Sequence, residues 1–193
     1  MSARMGEMVV SAVPGVELVA LGLGSCIGLA LIDRAAGVAG LAHVVLPDSG
    51  SADGPAGKFA DLAVPELLSQ MRRVGAIERR LEAVLVGGAR MFEMAGGLDI
   101  GARNEKAVRS ALTIARVQVR AATTGGNQGR TVRVIAGQSV VTVKVAGGEL
   151  VTLFDGSGRE TESPTRVTRT MDRPRIAPSS TTRKPARPAG ARP

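Results

Sequence analysis

The chain carries one cysteine, Cys26, and one histidine, His43. Both fall in a segment whose pattern predicts a β-hairpin. Residues 27–32 and 38–46 are apolar runs joined by the turn-forming stretch DRAAG, and such a pair of runs folds back on itself. If the turn centres on Arg34 and Ala35, Cys26 sits opposite His43. If it centres one residue later, Cys26 faces Val45 and His43 is its diagonal neighbour. Either register puts both side chains on one face of the sheet, whereas a shift by an odd number of residues separates them. A thiol beside an imidazole is the arrangement that yields a reactive thiolate near neutral pH. The same residues also read as a small buried hydrophobe and a satisfied core histidine. The turn LGLGSC before Cys26 brings glycines and a serine to a strand end. Backbone N–H groups there, those of Gly24 and Ser25 above all, are candidates to hold an oxyanion. The small residues Gly28, Ala30 and Ala39 are expected to leave room for a substrate side chain.

The elements around this hairpin are legible as short runs rich in Val and Leu. Strands are expected over residues 8–13, 16–23, 27–32, 38–46, 81–86, 117–122, 131–135, 140–145 and 150–154. Phe59, Leu62, Ala63, Leu67, Met71 and Val74 follow helical spacing and stop at Gly75. Pro65 inside that pattern predicts a kink or a later helix start. A second helix is expected to begin at Asn104 as N-cap, with Glu105 in its first turn and Val108, Ala111, Leu112 and Ala115 as its buried stripe. Strands alternating with two main helices imply an α/β fold with a mixed or antiparallel sheet.

Composition excludes several classes. The 193 residues carry a net charge of +8, but residues 158–193 hold nine of the 25 basic residues and six of the ten prolines. That segment reads as a disordered basic tail beyond a folded unit of residues 1–157. Its electrostatic reading is contact with an acidic surface; its plain reading is a solvated extension. One Cys and one His leave no metal site built from several such ligands, and no cofactor is expected. Glycine pairs such as Gly87–Gly88, Gly96–Gly97 and Gly125–Gly126 lack the spacing of a phosphate or dinucleotide loop. Trp and Tyr are absent, which argues against base stacking, and no nucleic-acid partner is expected. No charge-free apolar run reaches the roughly 18 residues of a membrane span. No leader is visible, so a cytoplasmic setting is expected.

The stretches LGLGSCIGLALID and GLAHVVLPDSG, with GKFADLAV, GGARMFE, IGARN and TGGNQGR in order behind them, resemble the chemoreceptor glutamine deamidase (CheD) family of bacterial chemotaxis. The resemblance covers roughly residues 5–153 and implies a layered α/β sandwich. It implies hydrolysis of receptor glutamines to glutamates with release of ammonia, with Cys26 as nucleophile and His43 as its histidine. The implied partners are the cytoplasmic domains of methyl-accepting receptors at the inner membrane and a CheC-type phosphatase. The family's third catalytic residue, a threonine six places before the cysteine, corresponds here to Ala20, whose methyl group cannot orient an imidazole. A backbone carbonyl near Ala20 is the expected substitute. Two other readings stand beside this one: a chemotaxis binding module with little or no catalysis, and a Cys–His hydrolase of different specificity.

Overall fold

The computed structural model describes residues 1–91 and 99–156. The basic tail, Gly96–Gly97 and the last two residues of GGARMFE lie outside them. Nine strands and two α-helices follow in chain order. These are β1 (Met8–Ser11), β2 (Glu17–Leu23), β3 (Ile27–Asp33), β4 (Val38–Val44), α1 (Ala60–Arg73), β5 (Glu82–Gly87), α2 (Ile100–Ile114), β6 (Gln118–Thr124), β7 (Arg130–Ile135), β8 (Val140–Val145) and β9 (Leu150–Phe154).

They form two sheets. One has the order β1-β4-β3-β5-β6 and is mixed, since β5 and β6 run parallel. The other, β2-β7-β8-β9, is antiparallel. Burial follows from the two faces of the central hairpin. Every residue of β3 and β4 is buried, as strands covered on both sides must be. Ile27, Leu29, Leu31, Ala42 and Val44 pack with Leu67, Met71, Val108 and Leu112 of the helices. Ala30, Ile32, Ala39 and Leu41 face Leu18, Val132, Val134 and Val141 of the second sheet. The result is a layered α/β sandwich, as expected.

One helix expectation is narrowed and another needs correction. Helix α1 runs through Pro65 without starting there, beginning five residues earlier at Ala60. The bond Pro65 cannot make would go to the carbonyl of Asp61, and both residues are exposed, so the missing bond leaves no buried unpaired group. Helix α2 is capped by Asp99, whose carboxylate accepts from the Ala102 amide at 2.9 Å. Asn104 is therefore not the cap; it lies in the second turn, fully buried.

Asp33 closes the β3–β4 hairpin and is itself buried. It accepts from the amides of Ala35, Ala36 and Ile77 and from the Arg80 guanidinium at 2.8 Å. Burial pushes its carboxyl upward, but Arg80 and the amides outweigh that and hold it below its ordinary 3.8. The stability this supplies is complete above the unfolded value and is lost as pH falls through the lower folded one. Asp33→Asn should cost about 2–3 kcal/mol at pH 7, read by urea unfolding, and the deficit should shrink in acid. An unchanged midpoint at pH 7 would contradict this role.

Candidate functional site

The hairpin register places the two expected residues. Gly28 pairs with His43 and Ile27 with Val44, so one step beyond the last pair Cys26 faces Val45, with His43 on the diagonal. The turn thus centres on the later of the two expected positions. Cys26 and His43 share the face that looks toward the second sheet, and Cys26 packs in the core between the sheets. They are 8% and 2% exposed. The expected room around them is not provided by the small hairpin residues. A Cβ at Gly28 would meet Leu23 Cδ1 at 2.7 Å and Val132 Cγ1 at 2.9 Å, and Ala30 and Ala39 lie fully in the inter-sheet core. Their small size admits the second sheet.

The N-terminal residues wrap His43. The Gly6 amide donates to its carbonyl at 2.9 Å, and its own amide donates to Glu7 O at 3.0 Å. Ala3, held through its amide to Val19 O at 2.8 Å, brings its carbonyl to 3.3 Å from the ring Nδ1. A carbonyl only accepts, so Nδ1 carries the proton and Nε2 of the neutral ring is the basic nitrogen. Nε2 has no hydrogen-bond partner among the described residues. The orienting carbonyl is therefore that of Ala3, not one near Ala20. Ala20 is fully buried on β2 opposite Val132.

The turn before Cys26 is built by a change of sheet. The pairing of β2 with β7 shifts register between Ala20 and Leu23, Gly22 adopts φ +65°, and the Gly24 amide donates back to Gly22 O at 2.9 Å. That amide is already used, contrary to the expectation that it faces an oxyanion. The carbonyls of the next residues are all tied down. Gly24 O accepts from Ala89, Ser25 O from the Asn104 side chain and Cys26 O from Gly88, at 2.8, 2.9 and 2.8 Å. The amides of Ser25 and Cys26 donate to no backbone carbonyl among the described residues.

The supports come from the segment after β5. Gly87 adopts φ +113°, and a Cβ there would lie 2.2 Å from Cys26 O. Gly101, in the first turn of α2, meets Gly88 just as closely, at 2.4 Å from Gly88 O to a Cβ. Arg130 is buried and donates to Gly125 O at 2.8 Å, with longer bonds to Gln128 O and Gly87 O at 3.3 and 3.4 Å. It clasps the TGGNQGR loop to the end of β5. Backbone carbonyls and close approaches leave no mark in residue types, which is why Ala3 and Gly87 were not foreseen. Asn104 did leave one: it is the polar member of the 104–108–112 stripe.

Electrostatics set the resting state. Burial pushes the Cys26 thiol above its ordinary 9.0, against a lowering by its own backbone N–H. Burial also pushes the His43 imidazole below 6.5, against the opposing bond to Ala3. Both shifts favour thiol and neutral imidazole over thiolate and imidazolium. Both directions run against the reactive thiolate that the sequence leads one to expect. Among the described residues no group of three His, Cys, Asp or Glu could hold a metal ion, and no helix is long and apolar enough to cross a membrane.

Residues 45–148 match the family model described as CheD chemotactic sensory transduction. The chain is 44% identical over 146 residues to the chemoreceptor glutamine deamidase CheD of Thermotoga maritima, covering 75% of this chain and 92% of the relative. It is 44% identical over 147 residues to a probable chemoreceptor glutamine deamidase CheD of Clostridium botulinum, covering 72% and 89%. A protein of the same probable assignment from Symbiobacterium thermophilum is 42% identical over 149 residues, covering 74% and 90%.

Proposed function

Because the chain belongs to the CheD family, we propose that it hydrolyses glutamine side chains of chemoreceptors to glutamate and releases ammonia. The observation that carries the chemistry is the shared face of Cys26 and His43, with the His43 Nδ1–H committed to Ala3 O and Nε2 left as base. Nε2 takes the thiol proton as sulfur attacks the amide carbon, so no stable thiolate has to form beforehand. The Ser25 and Cys26 amides stabilise the tetrahedral oxyanion. The imidazolium then protonates the departing nitrogen, the C–N bond breaks, and ammonia leaves a thioester. Water, deprotonated by Nε2, attacks that thioester; the C–S bond breaks, the imidazolium returns its proton to sulfur, and the carboxylic acid formed passes its own proton to the released ammonia. The reaction consumes one water per glutamine and draws on no group outside the chain.

The catalytic unit in this reading is residues 1–157. The tail of residues 158–193 adds electrostatic contact with acidic surfaces, which salt would screen. The protein works in the cytoplasm, recruited to receptors at the inner membrane, and a CheC-type phosphatase is a second partner. The missing hydroxyl at Ala20 strengthens the purely binding reading, and the Ala3 carbonyl 3.3 Å from Nδ1 supports the catalytic one. Ammonia release from a purified receptor cytoplasmic fragment, at wild-type rates and without chain cleavage, tests the assignment.

The hydroxyl itself can be restored. Since Ala3 O already orients the ring, Ala20→Thr should leave turnover within about twofold. It should cost roughly 1–3 kcal/mol of stability by overfilling a packed site. A tenfold gain in ammonia release would show that His43 lacks an effective orienting partner in the wild type.

A further inference from the structure

We propose that Asn104 is a positioning residue that holds the strand ends bearing Cys26 and His43 in register, an inference that rests on reading those two as the reacting pair. The β3–β4 ladder stops at Ile27 and Val44, one pair short of Cys26. Beyond it, the Asn104 Nδ2 group donates to Ser25 O and to Val45 O, each at 2.9 Å. Ser25 precedes Cys26, and Val45 lies two residues past His43 and faces Cys26. One amide group thus takes over where the ladder ends.

Both acceptors are carbonyls, which fixes the amide orientation, since the flipped form would set oxygen against oxygen. Packing alone does not call for asparagine here. Val108 and Leu112 fill the same buried face of α2 further along, and a buried carboxamide is costly unless its bonds are made. Asn104 is fully buried, and its Oδ1 has no hydrogen-bond partner among the described residues. The side chain is explained by the two bonds its nitrogen donates. Gly101, one turn earlier, lets the helix approach Gly88 closely enough for Asn104 to reach both strand ends.

The full chain with Asn104→Leu or Asn104→Ser tests this. Leucine keeps the branching with bulkier methyls and no donor; serine is smaller and too short to bridge both carbonyls. Three quantities are read: thermal unfolding, kcat and KM for ammonia release from a receptor cytoplasmic fragment, and the NMR titration of the chain's single histidine. The expected result is a folded protein with kcat reduced about 10–100-fold and KM within threefold, as a displacement near 1 Å produces. The His43 titration should move up toward 6.5 as water reaches the loosened ring. A folded variant with wild-type kcat and wild-type histidine titration would overturn the proposal. So would loss of folding in both variants, which would make Asn104 a residue of stability only. If the wild type itself releases no ammonia, the deamidase reading fails, while the histidine titration still decides the role of Asn104.

Discussion

Gly87→Ala should reduce deamidation at least about 100-fold although it alters neither reacting side chain. The added methyl would sit 2.2 Å from Cys26 O, at a φ of +113° that L-residues rarely adopt. Neither the backbone of Cys26 nor that of Gly88, which bonds it, can yield without moving the thiol. The strain should cost about 2–4 kcal/mol, and the displaced sulfur accounts for the loss of rate. Gly15→Ala is the control. Its φ is +82° with nothing within 4 Å of a Cβ, so it should cost about 1 kcal/mol and leave activity unchanged. Urea unfolding and ammonia release on the two variants check both halves. Equal activities would show that the approach of Gly87 to Cys26 is not critical.

How far the sequence carries depends on what each feature is made of. The hairpin with Cys26 and His43 was legible because apolar runs, a turn and two unique residues lie within 18 positions, and side-chain parity does the rest. The nine strands were visible as Val-rich runs, with ends displaced by a few residues. Their division into two sheets was not, because the exit from β2 rests on a register shift at Leu21–Gly22 and on long-range pairing with β7. Asn104 looks like a cap in the sequence because an asparagine before a glutamate is a typical helix start. The structure uses Asp99 instead and spends Asn104 on Ser25 and Val45. Gly28 suggests open space, but Leu23 and Val132 fill it. Ala3 could not be found from residue type at all, since only its carbonyl acts.

Replacing either member of the pair should have the largest effect of all. Cys26→Ala removes the only thiol in the chain and should bring ammonia release to the uncatalysed background. His43→Ala should cost about 10²–10⁴-fold by removing general base and acid together. The pH profiles distinguish the two roles. His43 titrates below its ordinary 6.5, so wild-type activity should rise with pH below 6.5 and level off through neutrality. The same depression makes the neutral buried ring a source of stability that is complete above 6.5 and is lost as pH falls through the folded value. In His43→Ala the residual rate depends on thiolate alone. Because burial holds the thiol above 9.0, that rate should keep climbing through pH 9. For the same reason iodoacetamide should alkylate wild-type Cys26 more slowly than a free thiol at pH 7. A His43→Ala profile that levels off near pH 7 would contradict the neutral-pair mechanism.

We propose that Cys26 converts receptor glutamine to glutamate. The most direct test is mass spectrometry of a chemoreceptor cytoplasmic domain co-expressed with the wild-type chain or with Cys26→Ala. Deamidation replaces an amide nitrogen with oxygen and adds about one dalton per site. That gain is expected at specific glutamines, in uncleaved receptor, with the wild type, and is expected to be absent with Cys26→Ala. Equal gains with both proteins would contradict it, as would a receptor left unchanged by a wild-type chain that binds it.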